Sequence, residues 1–181
     1  ARPLGVTRRG RGESTMPDSA PRLPALDPAA LQEALGLIPA PVAVVGVRAG
    51  ERRGGLTAAW LTRVSIAPPL LLVSIGLTRH THELLAAAPT FSVSLLREDQ
   101  VPVARLFGRV SQRERDKWAE VDVHAFPDGT PALARCAARF LCVRRDAFPA
   151  GDHTCFVGEI VAAAVVAGGP ALPMRREDYP D

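Results

Sequence analysis

Short runs of apolar and β-branched residues, separated by glycine, proline and charged residues, occupy most of the chain after residue 40. The first two runs, residues 41–47 and 56–66, flank a charged segment with three glycines, so a hairpin turn is predicted over residues 48–55. Further strands are predicted over residues 70–75 (buried on both faces), 90–96, 137–145 and 154–166. Because helices do not alternate with these strands, a parallel α/β fold is disfavoured. The pattern predicts a mainly β protein, a closed antiparallel barrel with a few flanking helices.

The N-terminal segment has a different composition from the rest of the chain. Residues 1–26 are rich in Arg, Gly, Pro and Ser, which predicts a disordered basic tail; Met16 is a candidate natural start, so that residues 1–15 would not be native. The folded domain is expected over residues 27–181, opening with Asp27 as the N-cap of a helix. Three more short helices are predicted over residues 81–88, 99–107 and 113–120.

The charge distribution and the cysteines exclude several classes of protein. Four arginines and one glutamate in residues 1–15 account for the whole formal net charge of +3, so the remaining chain is neutral. A neutral body argues against a nucleic-acid partner. A membrane partner is not expected either, because no uncharged run approaches the length of a transmembrane helix. Three unevenly spaced cysteines indicate reduced thiols and a cytoplasmic location.

Two segments combine small residues with hydrogen-bonding groups. Residues 54–65 (GGLTAAWLTRVS) allow a flat ligand to approach the backbone, or alternatively form an Ala-rich strand packed under a helix. Residues 74–83 (SIGLTRHTHE) run from a strand into a helix whose unpaired N–H groups, together with Arg79, suit one phosphate. The alternative for this second segment is a helix capped by Thr81. No third ligand accompanies His80 and His82, so no metal site is predicted.

Two further motifs are weaker. His153 lies in the turn Gly151-Asp152-His153-Thr154 at the start of a strand, where its ring could orient a ligand, although most turn histidines have no such role. Lys117, the only lysine, is expected on the solvated face of a helix. Since groups suited to acid–base or nucleophilic catalysis are scarce, the chain is expected to hold a cofactor that supplies the chemistry.

The order and spacing of these motifs resembles the flavin reductase family, the short NAD(P)H:flavin oxidoreductases of two-component monooxygenases. The resemblance extends from about residue 35 to residue 166. It is carried by residues 57–60, 64–65, 68–70, 74–81, 151–154 and 156–159. It implies an FMN-binding split β-barrel of antiparallel, Greek-key topology, usually a homodimer. It further implies hydride transfer from NADH or NADPH to FMN (or FAD), and delivery of reduced flavin to a partner monooxygenase.

The resemblance also implies roles for single residues. His153 would be the catalytic residue, on the nicotinamide side of the flavin. Residues lining the flavin would be Thr57, Ala58, Ala59, Trp60, Ser65, Ser74, Ile75, Gly76, Arg79, Thr81, Phe91 and Lys117. Arg79 and Thr81 would hold the phosphate. Trp60 departs from the pattern, because many members have a small residue there; it would either restrict the site or stack in it.

The sequence is also compatible with four other hypotheses. The same fold serves electron-transfer flavoproteins reduced by another protein and FMN-dependent oxidases of the pyridoxamine-phosphate oxidase type. The oxidase reading would need a second anion site, and the sequence shows one. A binding module that uses the basic tail, or a barrel with no cofactor, would have no reductase activity.

Overall fold

The computed structural model describes residues 25–110, 115–175 and 178. Its helices are α1 (Pro28–Gly36), α2 (His80–Ala87) and α3 (Val101–Arg109), with short 3-10 helices at Glu98–Gln100 and Lys117–Glu120. Its strands are β1 (Ala43–Ala49), β2 (Arg52–Ala58), β3 (Leu61–Ser65), β4 (Leu70–Gly76), β5 (Thr90–Leu95), β6 (Val123–Ala125), β7 (Pro131–Leu133), β8 (Ala138–Ala150) and β9 (His153–Val165). No helix in this described part is long and apolar enough to cross a membrane. The expected tail lies almost wholly outside the described residues.

The chain divides into two compact units after Ile38. The described part of the first unit is residues 25–38, which contain α1. The predicted start of this helix is confirmed: the Asp27 side chain accepts a hydrogen bond of 3.0 Å from the Ala29 amide, and Pro28 opens the first turn.

The second unit is an antiparallel sheet that curls on itself. Seven strands are ordered β2-β1-β5-β8-β9-β4-β3, and β6 pairs with β7 in a small second sheet. The two edge strands, β2 and β3, are consecutive in the chain and are joined only by Ala59 and Trp60. This connector forces the edges together at one corner, whereas the ladders recorded for the described residues do not pair β2 with β3. The result is a barrel that is open along one seam, which confirms the expected split β-barrel.

Two hairpins close with the same turn. Gly50 and Gly151 each have φ near +60° and occupy the first position of a two-residue loop between paired strands. Glycine takes this conformation without steric cost. The predicted turn over residues 48–55 is therefore too long. Gly54 and Gly55 lie inside β2, opposite Val47 and Gly46.

Two other sequence expectations are wrong, and a third is confirmed only in part. The strand predicted over residues 56–66 is interrupted at Ala59-Trp60, where the chain turns from β2 into β3. Strand β4 is not buried on both faces, because its residues alternate between buried and half-exposed. Of the helix predicted over residues 113–120, residues 117–120 are helical, as a 3-10 helix, residues 115–116 are not, and residues 113–114 lie outside the described residues.

The core has two main layers. The inner one lies between the sheet and α2, and its fully buried residues include Val45, Val73, Leu85, Phe91 and Phe156. The outer one lies between the sheet, α3 and the 3-10 helix at Lys117–Glu120; it includes Val44, Leu96, Phe107, Trp118 and Leu133. Burial of such side chains stabilises the fold by about 1.5–3 kcal/mol each. Both layers pack against β1, so this strand fixes where α2 and α3 approach the sheet.

Candidate functional site

A cavity of about 250 Å³ lies where strand β2, the start of α2 and the end of α3 meet. It is lined by Gly55, Leu56, Thr57, Thr78, Arg79, His80, Thr81, Phe107, Gly108, Arg109, Val110 and Lys117. The two segments singled out in the sequence, residues 54–65 and 74–83, thus contribute to one cavity. The α3 segment was not among the predicted site residues.

The charged side chains that line the cavity are basic: Arg79, Arg109 and Lys117. No carboxylate is among the described residues that line it. The ammonium of Lys117 lies close enough to the Arg79 guanidinium to be affected electrostatically. Burial, and secondarily the charge of Arg79, lowers the pKa of Lys117 from its usual 10.5 to about 8. Positive charge gathered without a counter-ion in the lining favours an anionic ligand.

Lys117 is buried, contrary to the solvated position expected from its sequence. Its Nζ donates hydrogen bonds to the carbonyl oxygens of Gly55 (2.7 Å), Phe107 (3.2 Å) and Val110 (3.0 Å). The last two carbonyls belong to the C-terminal end of α3, where backbone acceptors lack helical partners and a cation is favoured. Lys117 therefore joins β2 to α3 and holds two walls of the cavity together.

Arg79 enters the cavity from the start of α2. It is the N-cap residue of that helix, with extended backbone and no capping hydrogen bond from its side chain. Thr81, proposed in the sequence as an alternative cap, instead lies within the first turn and is almost completely buried. The helix start and an exposed guanidinium therefore face the same space, an arrangement that suits a phosphate.

Residues of the segment 54–65 lie partly in the cavity and partly in the core. The Thr57 side chain lines the cavity, and its hydroxyl donates a 2.7 Å hydrogen bond to the carbonyl of Ala104 in α3. Ala58 is buried in the inner core layer. Ala59 and Trp60 form the β2–β3 connector, which is fixed to β4 because the Ser74 amide donates to the Trp60 carbonyl at 2.9 Å. The glycines before Thr57 accommodate protein side chains, since a Cβ on Gly55 would lie 2.8 Å from both Phe107 and Trp118.

His153 lies beside the segment that leads into the cavity. It pairs with Gly76 across β4 and β9, and a Cβ on Gly76 would lie 3.6 Å from His153 Nε2 and 3.8 Å from Arg79 Cγ. The imidazole and the Arg79 side chain therefore both border the space beside Gly76. The other ring nitrogen of His153, Nδ1, lies 2.7 Å from a carboxylate oxygen of Asp152.

The His153–Asp152 contact determines which nitrogen carries a proton. The hydrogen bond to His153 is the main cause that lowers the pKa of Asp152, so this carboxylate is ionised near neutral pH. An ionised carboxylate only accepts hydrogen bonds, and Nδ1 must therefore donate. In the neutral ring, Nε2 then presents its lone pair toward Gly76.

The remaining predicted residues lie outside the cavity lining. Ser74 and Ile75 precede Gly76 on β4; Ile75 is buried in the core and Ser74 is half-exposed. Ser65 ends β3. Phe91 is completely buried and packs against Gly158 of β9, so its side chain cannot contact a molecule bound in the cavity.

Arg109 and the partner of His82 were also not predicted from the sequence. Arg109 is the second arginine of the cavity, and no residue pattern around it distinguished it from the other arginines of the chain. The Nε2 of His82 lies 2.8 Å from the Thr154 hydroxyl. Among residues 25–110, 115–175 and 178, no group of three or more His, Cys, Asp or Glu could hold a metal ion.

The fold and the cavity together define a split-barrel protein with a basic ligand site at the junction of β2, α2 and α3. The chain belongs to the family described as "Flavin reductase like domain", which matches residues 35–180. The resemblance noted in the sequence is thereby confirmed.

Individual relatives agree with this assignment. The stachydrine N-demethylase reductase subunit Stc3 of Rhizobium meliloti (strain 1021) is 40% identical over 75% of this chain, which spans 58% of that protein's length. The NADH:riboflavin 5'-phosphate oxidoreductase of Streptomyces pristinaespiralis is 38% identical over 84% of this chain and 85% of its own. The reductase component of an FADH(2)-dependent resorcinol hydroxylase from Rhizobium sp. (strain MTP-10005) is 38% identical, covering 70% of this chain and 72% of its own.

A solved structure shows the same architecture. The NADH:FAD oxidoreductase SgcE6 of Streptomyces globisporus C-1027 superposes with a TM-score of 0.73 and 33% identity, covering 86% of this chain and 89% of its own. The agreement over most of both chains extends the likeness from sequence motifs to the whole split barrel.

Proposed function

We propose that this protein is an NADH-dependent flavin reductase that transfers hydride from the reduced nicotinamide to a phosphorylated flavin. The observation that carries the proposal is the cavity lined by Arg79, Arg109 and Lys117 in a chain of the flavin reductase family. Bound flavin would accept the hydride and then pass its electrons on, so the protein's part is binding and orientation.

The residues of the cavity fit the anionic end of a flavin. Arg79 and Arg109 offer guanidinium groups that can bind a phosphate through paired hydrogen bonds. Lys117 already donates to three carbonyls, so it contributes mainly its charge. At about 250 Å³ the cavity is smaller than the roughly 300–1,000 Å³ that encloses a drug-sized ligand. It therefore suits the phosphate-bearing chain, while the flavin ring would lie outside it, toward Ala59 and Gly76.

His153 would act at the nicotinamide side of this ring. Its Nδ1–H is held by Asp152, and its Nε2 is turned toward Gly76, next to the Arg79 side chain. A ring fixed in this way can accept a hydrogen bond at Nε2 and so orient the carboxamide of a nicotinamide. This assigns His153 to orientation of the co-substrate and not to proton transfer.

The relatives' names support the choice of co-substrate. Two of the proteins reported above are named as NADH oxidoreductases, one for riboflavin 5'-phosphate and one for FAD. We therefore propose NADH in preference to NADPH, and FMN or FAD as the flavin. These names favour a reductase over an electron-transfer protein reduced by another protein.

We also propose a monooxygenase partner and a homodimer. Reduced flavin would leave for a separate oxygenase, as the names of the two rhizobial reductase components suggest. Large apolar side chains are exposed on or beside β3, β8 and β9: Val64, Ile66, Phe148, Val161 and Val165. Exposed large apolar side chains are common at interfaces, and we propose that a second copy of the chain covers these residues. Sedimentation of the wild-type protein should give a mass twice that of the 19.2 kDa chain. For Ile66→Asp, the measured mass should fall to that of one chain.

We also propose a cytoplasmic location and the limits of the reductase domain. The described cysteines are free thiols, and Cys136 and Cys142 are buried, which supports a reducing, cytoplasmic compartment. Residues 27–181 are proposed as the reductase domain, preceded by a basic tail.

Anaerobic mixing of the full chain with NADH and FMN tests the activity. We expect bleaching of the visible flavin absorbance at a rate that rises with protein concentration, whereas NADH and FMN alone react slowly. Re-oxidation by air should restore the absorbance. Reduction of the flavin by a ferredoxin-type protein but not by NADH would instead favour the electron-transfer alternative.

A further inference from the structure

The indole ring of Trp60 lies against the imidazole of His153. The ring centroids are 4.6 Å apart and the ring planes are inclined by 42°. Trp60 nevertheless keeps 61% of its surface exposed, so it is not a core residue. Aromatic pairs at this distance attract each other beyond the burial of their area. The position of Trp60 is therefore explained by its contact with the His153 ring, since burial in the core does not explain it.

We propose that Trp60 is a positioning residue: its indole fixes the plane of the His153 ring and so directs Nε2 toward Gly76 and the edge of the flavin site. The proposal rests on the proposed function, because it assigns Trp60 a role in presenting NADH to the flavin. Trp60 would act through His153, without binding flavin tightly itself.

Strand β4 holds both rings in register. The Ser74 amide donates to the Trp60 carbonyl at 2.9 Å, and Gly76, two residues further on, pairs with His153. The turn before His153 is attached to the same segment, because the Leu77 amide donates to the Asp152 carbonyl at 3.1 Å. The indole and the imidazole are thus carried by the β2–β3 connector and by β9, two segments whose backbones are both joined to β4 by hydrogen bonds or strand pairing, so the sheet brings the two rings together.

Asp152 by itself holds the His153 ring weakly. The Asp152 side chain is 93% exposed, so water competes for its hydrogen bond to Nδ1. One exposed hydrogen bond sets the tautomer but leaves the ring free to turn about it. The tilted indole, with its centroid 4.6 Å from that of the imidazole, adds a second contact that limits this freedom. The two contacts together leave the edge with Nε2 as the part of the ring that can meet a ligand.

Imidazole proton resonances test the stack in the full chain without added flavin. Protons over the face of an indole are shifted upfield by its ring current. The His153 signals, assigned by their loss in His153→Ala, should therefore move downfield in Trp60→Leu. In Trp60→Phe they should keep part of the upfield shift. Unchanged His153 signals in Trp60→Leu would overturn the proposed contact.

A double-mutant cycle tests the functional coupling. Trp60→Leu should lower kcat/KM for NADH about three- to tenfold, the factor that corresponds to an ordinary aromatic pair, while the Kd of FMN stays unchanged. Trp60→Phe should restore most of the loss. In the His153→Ala background, Trp60→Leu should have no further effect. An equal loss in both backgrounds, or a weakened FMN affinity, would contradict positioning through His153.

The two experiments separate failure of this proposal from failure of the proposed function. A wild-type chain that does not oxidise NADH with FMN would overturn the reductase function and the kinetic role of Trp60 with it. If the wild-type protein is active but Trp60→Leu lowers kcat/KM for NADH equally with and without His153, only the positioning role is overturned. Circular dichroism of each variant, together with the unaffected His124 resonances, controls for misfolding.

Discussion

The ammonium of Lys117 donates a 2.7 Å hydrogen bond to the carbonyl of Gly55, which places the chain's single lysine inside the junction of β2 and α3. The same ammonium caps two carbonyls at the end of α3. One buried cation therefore determines both the shape of the candidate phosphate cavity and part of its charge.

The first prediction concerns pH. The pKa of Lys117 falls from 10.5 to about 8 on folding, mainly because of burial. Between these values the unfolded chain binds more protons than the folded chain, so the contribution of Lys117 to stability rises with pH and is lost as pH falls through 8. The free energy of unfolding of wild type relative to Lys117→Met should rise by about 1–2 kcal/mol from about pH 7.5 to about pH 10.

Urea denaturation at each pH measures this difference. Arg115→Met removes a neighbouring exposed cation and serves as the matched control, with no pH-dependent difference from wild type in that range. If the free energy of unfolding of wild type relative to Lys117→Met stays constant or falls as the pH rises, Lys117 is not desolvated as the structure indicates.

The second prediction concerns the phosphate. Arg79→Ala removes a guanidinium that faces the cavity and should raise the Kd of FMN about 10- to 100-fold, as expected for a charge-assisted hydrogen bond. Riboflavin, which lacks the phosphate, should bind wild type and variant equally. Fluorescence titration measures both, with Arg135→Ala as a control outside the cavity. Equal losses for FMN and riboflavin would refute the assignment of Arg79 to the phosphate.

The third prediction concerns His153. Its removal in His153→Ala should lower kcat/KM for NADH about tenfold, the effect of one lost hydrogen bond, with little change in the Kd of FMN. Steady-state NADH oxidation at saturating FMN measures the first quantity. His124→Ala, on β6 away from the cavity, should behave as wild type. If NADH kinetics are unchanged in His153→Ala, His153 has no part in the site.

The fourth prediction concerns packing under the cavity. A Cβ at Gly55 would lie 2.8 Å from atoms of both the Phe107 and Trp118 rings, which are buried and packed against each other. Gly55→Ala should therefore destabilise the protein by about 1–3 kcal/mol in urea denaturation. Gly36→Ala, where a Cβ meets nothing within 4 Å, should not lower stability. Equal stability of Gly55→Ala and wild type would mean that the two rings can move apart.

The sequence was sufficient to predict β1, β4, β5, β8 and β9, because β-branched runs between turn residues are a local signal, but the short strands β6 and β7 were not predicted. It could not distinguish turn glycines from strand glycines. Gly50 closes a hairpin, whereas Gly54 and Gly55 are needed for the close approach of Leu84, Phe107 and Trp118, all distant in sequence. The alternation of buried residues in β4 was missed for a similar reason, since Leu72 and Ser74 are apolar or small but half-exposed.

The candidate site was predicted in its parts but not in its assembly. The segments around Thr57 and Arg79 carried recognisable local signals, and the structure brings them to one cavity. Burial of Lys117 could not be foreseen, because its three acceptors come from two other elements and the segment after α3. The contact of Trp60 with His153 likewise depends on the pairing of β4 with β9.

The most direct test of the central claim, that the junction of β2, α2 and α3 binds the phosphate of a flavin, is a crystal structure of the full chain with FMN. The phosphate should lie in the cavity within hydrogen-bonding distance of the Arg79 and Arg109 guanidiniums, with the flavin ring extending past Ala59 toward His153. FMN bound elsewhere, or a cavity closed by the chain's own side chains in the presence of saturating FMN, would contradict the account.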